Sequence, residues 1–127
     1  MMNPFVQVAL GGAAGAVARH ALTRWCAALF GPSFPAGTLL VNVLGSFAIG
    51  VLAAAMLGPK GAAPLAPLLI TGFLGGFTTF SAFSLDTLRL VQVGQAGTAA
   101  SYVLLSVLLS LGAVWTGFLL ISRGYLN

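Results

Sequence analysis

The sequence is nearly without acid: Asp86 is the single carboxylate in 127 residues, and there is no glutamate. That shortage removes whole classes of chemistry. Cation pathways are usually lined by acidic rings and proton-coupled carriers need an ionisable group at mid-membrane, whereas Asp86 stands toward the end of the third apolar block, next to Arg89. Cysteine is as scarce. The lone Cys26 excludes an internal disulfide and any thiolate metal cage, and reads as a small packing residue. The lone histidine, His20, has no second histidine or acid nearby with which to form a metal site or a catalytic pair, so no enzyme is expected. Bases are few too. Arg19, Arg24, Lys60, Arg89 and Arg123 raise the net charge to +4 without forming a clustered basic face, so no nucleic-acid partner is expected. The N-terminal MMNPF lacks a basic region ahead of the first apolar run, and no removable signal peptide is expected.

What is present is apolar. With 59% hydrophobic and 5% charged residues and a mean hydropathy of +1.07, the chain carries more apolar surface than a soluble domain of this size can hide, and it is expected to be an integral membrane protein. Residues 1–127 read as one transmembrane domain. Four blocks, about 5–30, 36–57, 64–93 and 98–122, can each cross a hydrocarbon layer about 30 Å thick, which takes roughly 20 helical residues. The expected fold is therefore all-α, with four transmembrane helices. Tight connections at 31–35, at 58–63 around Pro59 and Lys60, and at 94–97 make sequential helices antiparallel, and Pro32, Pro35, Pro59 and Pro64 stand at segment ends, where a missing amide donor is tolerated. The third block exceeds a straight span. That length fits a broken helix.

The break is expected within Thr71 to Ser84, TGFLGGFTTFSAFS, where Gly72, Gly75 and Gly76 weaken the helix just ahead of the β-branched Thr78 and Thr79. Backbone groups freed there would lie beside Phe73, Phe77, Phe80 and Phe83. In lipid such groups persist only when packed in protein, bound to an ion or facing a wet cavity. The same glycines also suit close helix packing, with the phenylalanines filling space. In the first segment Gly11, Gly12, Gly15, Ala14 and Ala18 offer a small-residue helix interface, followed by Arg19 deep in the span. Arg19 either draws an anion into a wet vestibule or donates to helix C-terminal carbonyls.

Two polar stripes complete the inventory. Thr38, Asn42 and Ser46 share one face of the second segment, and Tyr102, Ser106 and Ser110 share one face of the fourth. Each residue alone could tie two helices together, but three donors in line suit a hydrated track. With Thr79 and Ser81 they supply donors and aromatics at depth and no central carboxylate, which favours a small anion. Ring edges of Phe80 and Phe83 carry the positive part of the aromatic quadrupole and can face such an ion. Basic residues are almost evenly divided between the two ends of the bundle, so neither orientation wins, and opposite-facing copies can pair about an axis in the membrane plane. Four short helices enclose little space, so a homodimer is expected.

GGAAGAVARH at Gly11 to His20, GTLLVNVLGSFAIG at Gly37 to Gly50 and GFLGGFTTFSAFS at Gly72 to Ser84 resemble the signature blocks of the Fluc fluoride channel family, also called CrcB proteins. The resemblance covers all four spans in order. It implies a bacterial inner-membrane, dual-topology antiparallel homodimer that exports fluoride passively through two antiparallel pores. It also implies pore-lining roles for Phe80 and Phe83 with Asn42 beside them, a vestibule role for Arg19, and a polar track of Tyr102, Ser106 and Ser110. Backbone carbonyls of Gly75 and Thr78 from both subunits would hold a structural Na+ on the dimer axis. Ala82 departs from the family at a position where a hydroxyl is frequent, and His20 stands where tyrosine is common. The alternative is a proton-coupled small multidrug exporter, also four-helical and of dual topology; it needs an embedded acid in the first segment, and there is none.

Overall fold

The computed structural model describes residues 2–56 and 63–126. Helix α1, Pro4–Phe30, starts where Asn3 Oδ1 accepts from Phe5 N–H at 2.8 Å and Pro4 supplies a preset first helical residue. It stops at Gly31, whose φ of +77° is costly for a residue with a Cβ. Helix α2, Ala36–Met56, follows Pro35. The third helical region begins π-wound over Pro67–Leu74 and continues directly into one α-turn, Gly75–Phe77, here α3. Thr78 and Thr79 are extended, and α4, Phe80–Gln92, then resumes the run. It ends in a Schellman motif: Gln95 N–H donates to Leu90 O at 2.8 Å and Gly94 N–H to Val91 O at 3.0 Å, with Gly94 at φ +81°. Helix α5 is Ala96–Leu126. The expected connection around Pro59 and Lys60 lies outside the described residues.

All the described elements are helical. Three stretches are long and apolar enough to cross a bilayer: Ala36–Met56, Pro67–Gln92 taken as one, and Ala96–Gly124. Helix α1 has the length, since 27 residues span about 40 Å, but Gln7, Arg19, His20 and Arg24 dilute its apolarity. Packing seats it in the bundle instead. Its main neighbours are the π-wound segment and α3, while α2 packs chiefly on α5, so the bundle is two tightly joined helix pairs with a lighter seam between α1 and α2. A multi-pass membrane protein of four helical spans fits these lengths.

The helices meet through small residues while the large apolar side chains point outward. A Cβ on Gly11 would run into Leu68 O, one on Gly15 into Phe73 O, one on Gly50 into Val114 O, and one on Gly117 into Phe47 O. Backbones therefore touch at these points, as expected where lipid supplies no hydrophobic drive between helices and close van der Waals contact must hold them. Phe5, Val17, Leu108 and Trp115 stand exposed on the outside.

The break falls within the expected stretch, Thr71 to Ser84, on its threonines. Gly75 and Gly76 are helical, and the interruption falls on Thr78 (φ −84°, ψ 155°) and Thr79 (φ −152°, ψ 120°), whose β-branched side chains favour extended backbone. Gly72 and Gly76 serve approach: a Cβ on either would press on α1, at the Gly11 Cα and the Gly12 carbonyl respectively. Glycine here brings two helices together, and threonine parts one.

Candidate functional site

A break in a membrane helix frees backbone groups, and side chains of α1, α2 and the break itself take up several of them here. Asn42, projecting from α2, brackets the Thr79 peptide: Thr79 N–H donates to Asn42 Oδ1 at 2.7 Å, and Asn42 Nδ2 donates back to Thr79 O at 3.0 Å. Its carboxamide acts as a substitute peptide. Arg19, from α1, donates its Nε–H to Gly76 O at 3.0 Å. Thr78 Oγ1 and Thr78 N–H both donate to Leu74 O, at 2.8 and 2.9 Å. Thr79 Oγ1 caps α4 by accepting from Ala82 N–H at 3.1 Å and lies 3.3 Å from Ser81 Oγ. Gly45 makes room for this corner, since a Cβ there would strike the Thr78 methyl.

Beside the break lies an open-sided cleft of about 520 Å³. It brings together Asn42 and Ser46 of α2, Thr78 and Thr79, Phe80 and Phe83 of α4, and Ser106 and Ser110 of α5. Phe80 is 78% exposed at its edge, and the Phe80 and Phe83 rings sit 5.4 Å apart, tilted by 51°. Ser106 is buried and its Oγ has no hydrogen-bond partner among the described residues. An unpartnered buried hydroxyl costs roughly 1–3 kcal/mol, so it calls for a water or an ion at the cleft wall. The N-terminal end of α4 opens on the same space, adding the positive end of a helix dipole.

Other expected residues stand apart from the cleft lining. Tyr102 is fully buried beneath Phe83, with ring centroids 5.3 Å apart; it meets Phe34 edge-on, and its hydroxyl donates to Asp86 Oδ2 at 3.1 Å. Thr38 is buried beside that hydroxyl. Ser81 is exposed and engaged with Thr79. Arg19 takes the carbonyl-capping role, one of the two arrangements open to it. Phe73 and Phe77 stack on each other, with centroids 5.8 Å apart, and do not line the cleft. Sequence reasoning left Asp86 without a role, yet its carboxylate, on a second recess of about 240 Å³ that Arg89 also lines, accepts from Tyr102 and anchors it. The signal was its uniqueness, combined with a tyrosine leading the polar stripe of α5.

Backbone carbonyls are the possible cation ligands. In a continuous helix Gly75 O would accept from Thr79 N–H and Thr78 O from Ala82 N–H, but those donors are turned to Asn42 and to Thr79 Oγ1. Both oxygens thus lose their helical partners. Gly75 is exposed on the surface of the chain, within reach of an additional molecule. Among the described residues no cluster of three or more histidine, cysteine or acidic side chains exists. Hard carbonyl oxygens suit a hard cation such as Na+.

Comparison with known proteins agrees with the motif blocks. The family described as CrcB-like protein, Camphor Resistance (CrcB) matches residues 6–118. The chain is 54% identical over 126 residues to the Fluoride-specific ion channel FluC of Cereibacter sphaeroides, covering 99% of both chains. It is 53% identical over 124 residues to the protein of the same name from Paracoccus denitrificans, covering 98% of each. The one from Rhizobium meliloti is 48% identical over 120 residues, which is 94% of this chain and 96% of that relative. With the family match spanning nearly the whole length and close to half or more of the residues shared with each relative, the chain belongs to the CrcB family.

Proposed function

We propose that this protein is a fluoride channel of the bacterial inner membrane, working as an antiparallel, dual-topology homodimer with two pores and a structural sodium ion between the subunits. The observation that carries the proposal is the cleft, where Ser106 offers an unpaired hydroxyl between Ser110, Asn42 and the tilted rings of Phe80 and Phe83. A fluoride ion gives up hydration worth tens of kcal/mol in an idealised low-dielectric medium, so polar hydrogens and ring edges must replace water at each step. Ser106, Ser110, Ser46 and the second Nδ2–H of Asn42 are the donors for that task. Sequential weak sites allow exit as well as entry. Thr38, Tyr102 and Ser81 act around the pathway: Tyr102, with Thr38 beside its hydroxyl, supports the Phe83 ring from beneath, and Ser81 steadies the cap. Arg19 anchors the break, and its remaining guanidinium N–H groups keep positive charge near the vestibule.

The open side of the cleft, with Phe80 exposed on its edge, supports a second copy as its cover. Gly75 O and Thr78 O would hold Na+, which when bound supplies positive charge that binds freed carbonyls of both subunits together. The multidrug-exporter reading is not favoured, since α1 carries no acid and the relatives are named as fluoride channels.

The test is flux from liposomes loaded with fluoride and containing the purified protein. Electrogenic fluoride efflux, with chloride retained, is the expected result. Fluoride release no faster than from empty liposomes refutes the proposal.

A further inference from the structure

We infer that Asn42 and Thr79 are positioning residues that choose which carbonyls of the broken helix are left open to a cation; the inference rests on the sodium reading above. An uninterrupted helix would consume the carbonyls of Gly75 and Thr78 through the amides of Thr79 and Ala82. Each amide is intercepted by a side chain: Thr79 N–H by Asn42 Oδ1 at 2.7 Å, and Ala82 N–H by Thr79 Oγ1 at 3.1 Å. The neighbouring carbonyls are removed from the candidate ligand set. Gly76 O is taken by Arg19, Thr79 O by Asn42 Nδ2, and Leu74 O by two donors from Thr78. Interception and occupation together leave the oxygens of Gly75 and Thr78 open, three residues apart at the break, with Phe77 O between them likewise without a hydrogen-bond partner among the described residues.

The chemistry follows from hydrogen-bond competition. Remove the Asn42 acceptor and Thr79 N–H is left unpaired in a low-dielectric bundle, where its nearest recourse is the i−4 carbonyl, Gly75 O. Remove the Thr79 hydroxyl and Ala82 N–H turns likewise to Thr78 O. Either change restores a helical bond at the expense of a cation ligand. The two side chains thereby act on the metal from outside its coordination sphere, as outer-shell partners do in other metal sites.

The experiment titrates sodium chloride against purified wild-type protein in detergent, holding ionic strength with N-methyl-D-glucamine chloride. Dimer dissociation and thermal unfolding are both followed, the latter by Trp25 and Trp115 fluorescence. Wild type is expected to gain stability with sodium. Asn42→Ala and Thr79→Val are expected to need at least about tenfold more sodium for the same gain, in line with outer-shell losses elsewhere, while Thr79→Ser, which keeps the capping oxygen, titrates like wild type. Should Asn42→Ala fail to yield folded protein, the Thr79 pair decides alone. Identical sodium titrations for wild type and Thr79→Val overturn the inference and leave the sodium reading standing. A wild type indifferent to sodium overturns the sodium reading itself, and this inference with it.

Discussion

Replacing Tyr102 by phenylalanine isolates one hydroxyl. The ring is fully buried, and its contacts with Phe34 at 5.7 Å and Phe83 at 5.3 Å survive the change. What disappears is the 3.1 Å bond to Asp86 Oδ2, which leaves the carboxylate with no donor among the described residues. A hydrogen bond to a charged group contributes about 1.5–3 kcal/mol in soluble proteins, whereas side-chain bonds inside membrane bundles average nearer 0.6 kcal/mol. Asp86 is only half-buried and water reaches it along the recess shared with Arg89, so the expected coupling lies between, at about 1–2 kcal/mol. A double-mutant cycle of Tyr102→Phe, Asp86→Ala and the pair measures it, with unfolding in mixed micelles followed by tryptophan fluorescence. Each single change strands a polar partner, so the double variant is expected to be little less stable than either single one. Additivity within about 0.5 kcal/mol refutes the claim that the pair acts as a unit.

Ser106→Ala removes a hydroxyl that has no partner among the described residues; stability is expected to hold or rise by up to about 1 kcal/mol while fluoride flux falls, and a marked loss of stability contradicts the unpaired assignment. Phe80→Ile and Phe83→Ile are each expected to cut fluoride flux sharply with the dimer intact in size-exclusion chromatography; unchanged flux in both means the rings do not face the route. Gly15→Val would drive a side chain into the Phe73 carbonyl and is expected to cost about 1–3 kcal/mol or more, read as a lowered unfolding midpoint. Exhaustive dialysis against sodium-free buffer is expected to release monomers slowly, and indifference to it speaks against a metal between subunits.

The helices were legible because apolar blocks punctuated by Pro35, Gly31 and Gly94 carry their own start and stop signals. So was the existence of a break near Thr78. Whether the glycines or the threonines make it was not, because glycine signals both weak helices and close packing, and only the approach of α1 at Gly11 and Gly12 decides between them. The π-winding of Pro67–Leu74 has no local sequence sign comparable to a cap. Among site residues, helical periodicity put Thr38, Asn42 and Ser46 on one face of α2 and Tyr102, Ser106 and Ser110 on one face of α5, but that Asn42, Ser46, Ser106 and Ser110 share one cleft is seen only in the structure. Periodicity does not fix which neighbour a polar group meets. That Tyr102 would find Asp86, and Arg19 the Gly76 carbonyl, depends on how α1, α4 and α5 are set against each other.

The glycine seams have a consequence for natural and engineered variation. In a water-soluble domain the bulkiest interior residues are the ones a random substitution damages most, while the periphery is permissive. Here the order is reversed: a single added methyl at Gly15, Gly50 or Gly117 would jam a carbonyl of the adjoining helix, whereas exposed Leu108 or Val17 could be exchanged for another aliphatic with little effect. A saturation survey of this chain would therefore find its least replaceable sites among its smallest side chains.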